Sequence, residues 1–584
     1  MNAPISHHDT VSSIEGRADA LRQARRVLAG DPRNAELWLD LGMMLQDMHW
    51  DLREAIAEAA NLITNPNYEG DARAVSEARK AVDAFDRLQA EVAGFLRETA
   101  TMAGLPASVT APSSAASEAG KRGTVFLVFA AAGCRAALAL APGFLQAHGT
   151  LGTVLFEAGD FEDAAEAFRS AIAVDPGVPE IHYFLGRAEQ EAGHVEAAAG
   201  HYRDAAARDS GYVTAWCRLA NACLYTGALG EADAAMTKAL EISPDAPEAF
   251  AELGLLRVAQ GRYEEAADAA MQLARAERSL EGGYLPVSEV PERLNATKLR
   301  HDIEQLEHLV SHGRIDSEWA DVVPEYRRLL EGMDGQAYRA IEDADPPVTP
   351  QFIAAYRGLV HVAPAPVIPG GALNPALDVK EIVARYQASD MPVVDFGNLL
   401  KPEAAESLRR FCLESTIWFN VADAGDVGTI INDGFACPLL FQIAGEIREA
   451  FSPVFDPYPF TSCWAYKYYD KFSGVRIHAD EGAVSVNFWL TPDDANLQPD
   501  TGGLVFWKKM FPDGYFRMSQ VEKHESLLRA IEEPGVEAVT VPFGYNRAAV
   551  FHSGLIHRTD DLDFKEGYGN RRINITLVYG RPAR

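Results

Sequence analysis

Apolar and small residues recur through the middle of the chain with a period of 34. The stretch LGTVLFEAGDFEDAAEAF returns in outline as LGRAEQEAGHVEAAAGHY, LANACLYTGALGEADAAM and LGLLRVAQGRYEEAADAA. Leu151, Leu185, Leu219 and Leu253 stand 34 apart, and the same step carries Gly152, Gly186, Ala220 and Gly254. Ala164, Ala198, Ala232 and Ala266 follow in phase, and Pro142, Pro176 and Pro244 mark the turns between units. Small residues at fixed places let two helices cross closely. A single helix pair cannot bury its apolar face alone, so successive pairs must stack. An ordinary bundle would not hold this register four times.

The period, the small crossing residues and the turn proline together resemble the tetratricopeptide repeat over about 145–278. The segment 30–66, with Trp38, Leu41, Gly42 and Pro66, fits the same template once. The resemblance implies an all-α solenoid whose concave groove takes a protein or peptide partner.

Around the repeats the texture changes several times. Residues 1–104 read as a helical region holding the one early unit, and 105–123 as an Ala/Ser/Pro linker. The solenoid spans 124–278. The segments ATKLRHDIEQLEHLVSHG and DVVPEYRRLLEGM predict helices over 279–344 that extend or cap it. The Pro/Gly-rich stretch 345–376 reads as a domain boundary. From 377 to 584 a strand (MPVVDFGNLL) and a helix (EAAESLRRFCLEST) lead into short β-type runs: SCWAYKYY, VRIHAD, AVSVNFWL, GGLVFW, VEAVTVPF, RAAVFH and RRINITLVYG. Short strands punctuated by Gly, Pro and Asp predict a β-sandwich or barrel.

Composition narrows the partners. At 584 residues the chain needs several structural units, and 48% hydrophobic residues exclude wholesale disorder. The net charge of -31 repels phosphate backbones, so nucleic acid and anionic membranes are poor partners. Six scattered cysteines with no CxxC pair argue against a zinc site or a disulfide framework and suit a reducing cytoplasm. The first twenty residues lack the pattern of a signal peptide, so a cytoplasmic location is expected. The most apolar run, TVFLVFAAAGCRAALALAP, is broken by Arg135 and ended by Pro142, and reads as a buried helix.

Candidate chemistry is confined to the last third. In a strand, residues i and i+2 face one side, so His478 and Asp480 of VRIHAD aim at one point. That spacing alone is weak, because His7 and Asp9 share it in a polar tail. Downstream, RAAVFHSGLIHRTDD gives a strand, a turn at Ser553-Gly554 and a second short strand with His557. RRINITLVYG then alternates, with Arg572, Asn574 and Thr576 on one face and Ile573, Ile575 and Leu577 on the other. A strand that turns such residues inward lines a polar cavity.

The order HAD, GGLVF, GLIHRT, RRINITLVY resembles the Fe(II)/2-oxoglutarate-dependent dioxygenase superfamily, with a texture nearest its prolyl-hydroxylase-like and phytanoyl-CoA-hydroxylase-like members. The resemblance implies a double-stranded β-helix, or jelly-roll, domain with supporting helices. It implies that His478, Asp480 and His557 hold ferrous iron, that Arg572 takes the distal carboxylate of 2-oxoglutarate, and that Tyr466 and Tyr468 stand where cosubstrate contacts are made. AVSVNFWL alternates as well, with Val484, Val486, Phe488 and Leu490 on one face and Ser485, Asn487 and Trp489 on the other, so Asn487 is a candidate contact to cosubstrate or substrate. Ascorbate is the accessory reductant this kinship suggests. Three ligands on one face leave positions for cosubstrate and dioxygen, and an arginine–carboxylate bond is worth roughly 1.5–3 kcal/mol.

Each assignment has a rival. His552 competes with His557, and strand–turn–strand placement favours His557. Arg571 competes with Arg572 but falls in the phase of Ile573 and Ile575, which suits a solvated or ion-paired neighbour. Tyr466 and Asn487 could equally be structural groups with satisfied hydrogen bonds. Gly502 and Gly503 read as a bulge or a close backbone approach. The resulting expectation is a hydroxylase acting on a protein or peptide recognised by the repeats. The alternatives are a small-molecule hydroxylase whose repeats serve assembly, and a non-catalytic adaptor with a vestigial barrel.

Overall fold

The computed structural model describes residues 7–64, 72–109, 125–277, 293–333, 335–422, 425–469, 471–472, 477–512, 514–515, 518 and 520–581. Pro66, most of the 105–123 linker and the start of the expected cap at 279–292 lie outside the described residues. The chain forms two compact units: Met1–Ala222 with Gly514–Ser526, and Cys223–Asp513 with Leu527–Arg584. No described helix is long and apolar enough to cross a membrane.

The first unit is helical. It runs through α1 (His7–Gly30), α2 (Ala35–Thr64), α3 (Ala72–Ala103), α4 (Val125–Leu140), α5 (Leu145–Ala158), α6 (Phe161–Val174), α7 (Pro179–Glu191) and α8 (Val195–Arg208). The 34-residue period becomes helix pairs closed by glycines that are themselves 34 apart. Gly159, Gly193, Gly227 and Gly261 have φ of 80°, 93°, 74° and 71°, a region only glycine enters freely. Two of the in-phase glycines, Gly152 and Gly186, make room for an aromatic from the second helix of their pair. A Cβ on Gly152 would stand 2.6 Å from the Phe168 ring, and one on Gly186 2.8 Å from Tyr202.

The early unit differs from its prediction. Helix α2 runs unbroken from Ala35 to Thr64, so no helix pair closes within the described residues of that unit, 30–64. Its Gly42 instead crosses α4, where an added Cβ would lie 3.1 Å from the Ala130 carbonyl, and one on Gly133 3.0 Å from Gly42 Cα. Ala130 precedes Ala164 by one period, so α4 is the second helix of the first repeat. The rest of α2, with α3, is an insertion within that repeat. The apolar run at 125–140 is the buried helix it was expected to be, carrying Phe126, Leu127, Ala130 and Cys134 inside.

Helix α9 (Val213–Tyr225) spans the division, and α10 (Leu229–Ile242), α11 (Pro247–Ala259) and α12 (Tyr263–Glu277) continue the repeats in the second unit. Val258, Ala266, Ala267 and Ala270 share one core with the β-rich region. A ladder of β1 (Arg293–Asn295) with β2 (Tyr338–Ala340) brackets α13 (Ala296–Ser311) and α14 (Val323–Glu331). These helices were expected to extend or cap the solenoid. The structure sets α13 on the β-rich region: Gln305 donates to the Leu413 and Ser415 carbonyls at 3.2 and 2.9 Å, and Lys298 to that of Trp418 at 3.1 Å.

The 345–376 stretch is also not a free linker. After α15 (Pro350–Arg357) it lies along the β-rich region, with Ala363, Ala365 and Ala372 buried. The Glu446 carboxylate takes the backbone N–H of Ala372 at 2.8 Å and of Leu373 at 3.0 Å. Pro and Gly residues gave it the composition of a linker, but its backbone groups are bonded to the domain.

The rest includes α16 (Val379–Gln387), β3 (Val393–Phe396), α17 (Pro402–Glu414), β4 (Asn420–Ala422), β5 (Asp426–Ile430), α18 (Pro438–Ala450), β6 (Phe460–Tyr468), β7 (Lys471–Phe472), β8 (Val484–Trp489), β9 (Leu504–Met510), β10 (Ala538–Val541), β11 (Ala548–His552), β12 (Leu555–Thr559), β13 (Leu562–Asp563) and β14 (Arg572–Tyr579). A seven-stranded antiparallel sheet has the order β3-β11-β8-β14-β6-β5-β4, a three-stranded sheet β10-β9-β12, and β13 pairs with β7. One face of the large sheet, with Val486, Phe488, Ile573, Ile575 and Leu577, shares a core with α17 and α18. The other, with Tyr468, Trp489, Ala549 and Phe551, packs with Leu504, Phe506 and Leu555 of the small sheet. The alternation read in β8 and β14 is therefore the division between helix-facing and sheet-facing layers.

Candidate metal centre

His478 and Asp480 lie on the segment leading into β8, and His557 on β12. His478 and His557 exchange backbone bonds, each N–H meeting the other's carbonyl at 2.9 Å. This is a single antiparallel bridge and not the full strand read from VRIHAD, whose first two residues lie outside the described residues. The Asp480 N–H donates to the Ser553 carbonyl at 2.9 Å. The backbone thus fixes both halves of the group.

One donor atom from each of His478, Asp480 and His557 falls within 4.8 Å of the others. Asp480 Oδ1 is 3.8 Å from His478 Nε2 and 3.7 Å from His557 Nε2. Ligands about 2.0–2.2 Å from one ion stand roughly 3–4 Å apart, so the spacing fits a facial triad. His557 Nδ1 sits 2.9 Å from the Leu555 carbonyl, which places the proton there and turns the Nε2 lone pair to the site. Burial, with His478 alongside, pushes the His557 imidazole down to about 4, although Asp480 pulls the other way. The ring is neutral near pH 7, as a ligand must be.

Asp480 is oriented by a neighbour the sequence reading did not assign. Ser485 Oγ donates to Asp480 Oδ2 at 2.8 Å and lies 2.9 Å from Ser553 Oγ. The signal was available: Ser485 shares the sheet-facing phase of β8 with Asn487 and Trp489. His552 ends β11 and accepts the Gly554 N–H on Nδ1 at 3.1 Å. It stands outside the group.

The polar layer of the large sheet follows. Arg572 is fully buried, donating Nε to the Gly502 carbonyl at 2.6 Å, Nη2 to that of Gly503 at 3.2 Å and Nη1 to Asn574 Oδ1 at 3.1 Å. Its guanidinium lies 4.8 Å from the Tyr468 ring centre, and burial pushes it down to about 10, so it stays charged. Gly502 has φ +79°, and a Cβ on Gly503 would run into the Val541 carbonyl. That is the close approach expected of this pair, used to hold the arginine. Arg571 faces the other way, paired with Glu304 at 2.6 Å and stacked 4.0 Å from the Tyr469 ring centre. It is ion-paired, yet only 4% exposed, so the solvated alternative is excluded.

Tyr466 is half-buried opposite Gly428, where any Cβ would stand 2.6 Å from its ring. Burial, reinforced by Asp426 and Asp480, raises its hydroxyl to about 12. Asn487 donates to Thr576 Oγ1 at 2.8 Å, while its Oδ1 is buried without a partner. The Trp489 indole N–H and Asp426 Oδ1 are likewise buried and unmatched. Asp426 pairs with Tyr468 in register, and burial lifts its carboxyl to about 6. Sequence reasoning missed it, because Asn420–Ile430 has too short an alternation to stand out. Unmatched polar atoms on one inner face are what a polar ligand would satisfy.

Residues 150–213, 185–247 and 217–280 match the model of the tetratricopeptide repeat. No protein of curated function matches the chain. Among solved structures, the MamA protein is 22% identical over 28% of this chain and 88% of its own, with a TM-score of 0.26. YrrB, a TPR protein with an unusual peptide-binding site, is 18% identical over 34% and 94%, with a TM-score of 0.25. A thermophilic TPR protein of Thermus thermophilus is 22% identical over 27% and 86%, with a TM-score of 0.23.

Proposed function

We propose that the protein is an Fe(II)/2-oxoglutarate-dependent hydroxylase acting on a protein or peptide held by its tetratricopeptide repeats. The observation carrying this reading is the convergence of His478, Asp480 and His557, with a neutral imidazole, an oriented carboxylate and donor spacings that fit one ion. Two facing antiparallel sheets agree with a jelly-roll scaffold. Ferrous iron with 2-oxoglutarate supplies the oxidative chemistry, coupling decarboxylation to hydroxylation.

The chain's own residues bind and orient. Two neutral imidazoles and one carboxylate leave a dication's site net positive, which attracts an anionic oxoacid. Arg572 keeps a full charge in a dry layer and has N–H groups left for the distal carboxylate, where such a bond is strongest. Asn487 and Tyr466 offer the remaining polar contacts. Ser485 and the Leu555 carbonyl hold the ligand atoms in position.

Recognition falls to the repeats, which are modules of protein interaction. A groove of about 520 Å³ in the first unit is lined by Met43, Leu145, Phe168, Ile181 and Phe184, with Gln46 and Glu180 among its polar groups. It suits an apolar side chain flanked by a basic one, in keeping with the net charge of -31.

Anaerobic addition of Fe(II) and 2-oxoglutarate tests the reading through the weak visible metal-to-ligand charge-transfer band. The wild type should show it and Asp480→Ala should not; a wild type without the band leaves the adaptor reading. Trapping with N-oxalylglycine, followed by mass spectrometry, identifies the substrate. Phe184→Asp should keep the band and lose hydroxylation of that substrate. Full activity in this variant would mean that the repeats serve assembly.

A further inference from the structure

A second group of metal-binding side chains lies within the repeats, far from the barrel in sequence. Trp38, His148, His182 and Trp216 occupy one repeat position. Each ring nitrogen meets a carbonyl six residues upstream: Pro32 at 2.9 Å, Pro142 at 2.8 Å, Pro176 at 3.1 Å and Ser210 at 3.1 Å. An indole N–H can only donate, so this contact calls for a donor, and in His182 the proton sits on Nε2. Its Nδ1 is then a bare lone pair. That atom is buried without a hydrogen-bond partner, on a residue only 4% exposed.

Facing it is an exception to the repeat pattern. Ala167, Ala235 and Ala269 fill one buried position in three repeats, and the corresponding residue, on α8, is His201. His201 Nδ1 is also buried and unpartnered. Asp204, one turn along α8, replaces Ser170, Lys238 and Gln272 of the other repeats. A nitrogen from each ring and an Asp204 oxygen lie within 4.8 Å of one another. Two desolvated imidazole nitrogens that do not bond each other are costly unless something bridges them.

We propose that His182, His201 and Asp204 bind a divalent transition-metal ion of the Zn(II) type, stapling α7 to α8 independently of the barrel. Two imidazoles and one carboxylate favour zinc-like ions over calcium or magnesium. The exposed Asp204 edge leaves room for water as a further ligand. Asp204 Oδ1 also accepts from Arg208 Nη1 at 3.1 Å. Arg208 keeps the Pro176 carbonyl at 2.7 Å and the Asp204 carbonyl at 2.8 Å if the ion takes that carboxylate.

The test uses the full chain carrying His478→Ala and Asp480→Ala, which disables the barrel group. Titration with Co(II), read by visible d–d absorption and by metal analysis after desalting, should give one ion per chain. Adding His201→Ala, the residue of the neighbouring repeats, should abolish it with an unchanged far-ultraviolet circular dichroism spectrum. Asp204→Asn, at an exposed position, should weaken binding at least tenfold. Absence of bound Co(II) in the parent variant, or its retention after His201→Ala, would overturn the proposal without touching the barrel reading.

Discussion

The sharpest handle on the candidate metal centre is Ser485, which bonds the Asp480 carboxylate and Ser553 and is not itself one of the three converging residues. Asp480 is 4% exposed, and its Oδ2 takes a hydrogen from Ser485 Oγ at 2.8 Å. Ser485→Ala removes one charge-assisted bond, worth roughly 1.5–3 kcal/mol, from a site where water has little room to replace it. Part of that loss falls on the metal-free protein as well. What reaches metal affinity should match the usual cost of removing an orienting neighbour, about 10- to 100-fold. Ser553 Oγ also loses a partner at 2.9 Å, which lowers folding stability by about 1 kcal/mol. A control separates the two effects. Thr491 is equally buried and joins the Arg571 carbonyl at 2.8 Å to the Ile573 N–H at 2.9 Å, away from the triad. Calorimetric titration with Co(II) in the absence of oxygen, in chains that all carry His201→Ala so that only the triad reports, should show Ser485→Ala weakened by 10- to 100-fold and Thr491→Val within twofold of the parent, although both lower Tm. Unchanged affinity in Ser485→Ala would show that Asp480 is not an oriented metal ligand, and the triad would lose its physical basis.

Arg572→Met should raise the dissociation constant for 2-oxoglutarate about 10- to 100-fold, read from the charge-transfer band, with Fe(II) binding little changed; an unaltered constant would assign the arginine a packing role only. Folded His557 titrates at about 4 against an ordinary 6.5, so between those values the unfolded chain binds more protons and metal-free stability rises with pH. Acidifying from pH 7 to 4.5 should therefore cost the wild type up to about 3 kcal/mol more than His557→Asn, measured by urea unfolding; parallel losses would refute the shift. Glu446→Ala should release the strap over 364–375, speeding limited proteolysis there about tenfold or more, because two backbone N–H groups lose a charged acceptor. An equal cleavage rate would mean that the strap is held by its other contacts.

Local periodicity carried much of this architecture, and its failures share a cause. The 34-residue register survives in the structure because every repeat meets the same neighbours, so each position faces one fixed environment. The sheet-facing and helix-facing phases of β8 and β14 were legible for the same reason: a strand alternates with a period of two. His478, Asp480 and His557 were readable as residue types in a characteristic order, whereas their convergence depends on a bridge between segments nearly eighty residues apart. The first repeat was misjudged because its second helix, α4, arrives only after a long insertion. No local signal ties Gly42 to Gly133 across that gap.

Helix α13 shows where pattern reading must stop. Its sequence is amphipathic, and Lys298, His301, Asp302 and Gln305 read naturally as a solvated face, yet all four are buried. The reason lies on β6, where Lys467 points out of the helix-facing side, fully enclosed, its ammonium 4.3 Å from the Trp418 ring centre and 4.5 Å from that of Tyr568. Its Nζ meets His301 Nε2 at 3.3 Å and the Tyr568 hydroxyl at 2.5 Å, while Asp302 joins His301 Nδ1 at 3.0 Å and Lys298 at 2.7 Å. Burial pulls the Lys467 ammonium well below its ordinary range and lifts the Asp302 carboxyl to about 6. A period of 3.6 reports that a helix has two faces, and nothing about which partner each face meets. Here a polar face meets a polar strand residue, and the pair satisfies groups that neither element could bury alone. The arrangement fixes α13 on the outer layer of the large sheet, behind the strand pair that carries Tyr466 and Arg572. The polar residues that looked most like solvent are those that set the back wall of the candidate site.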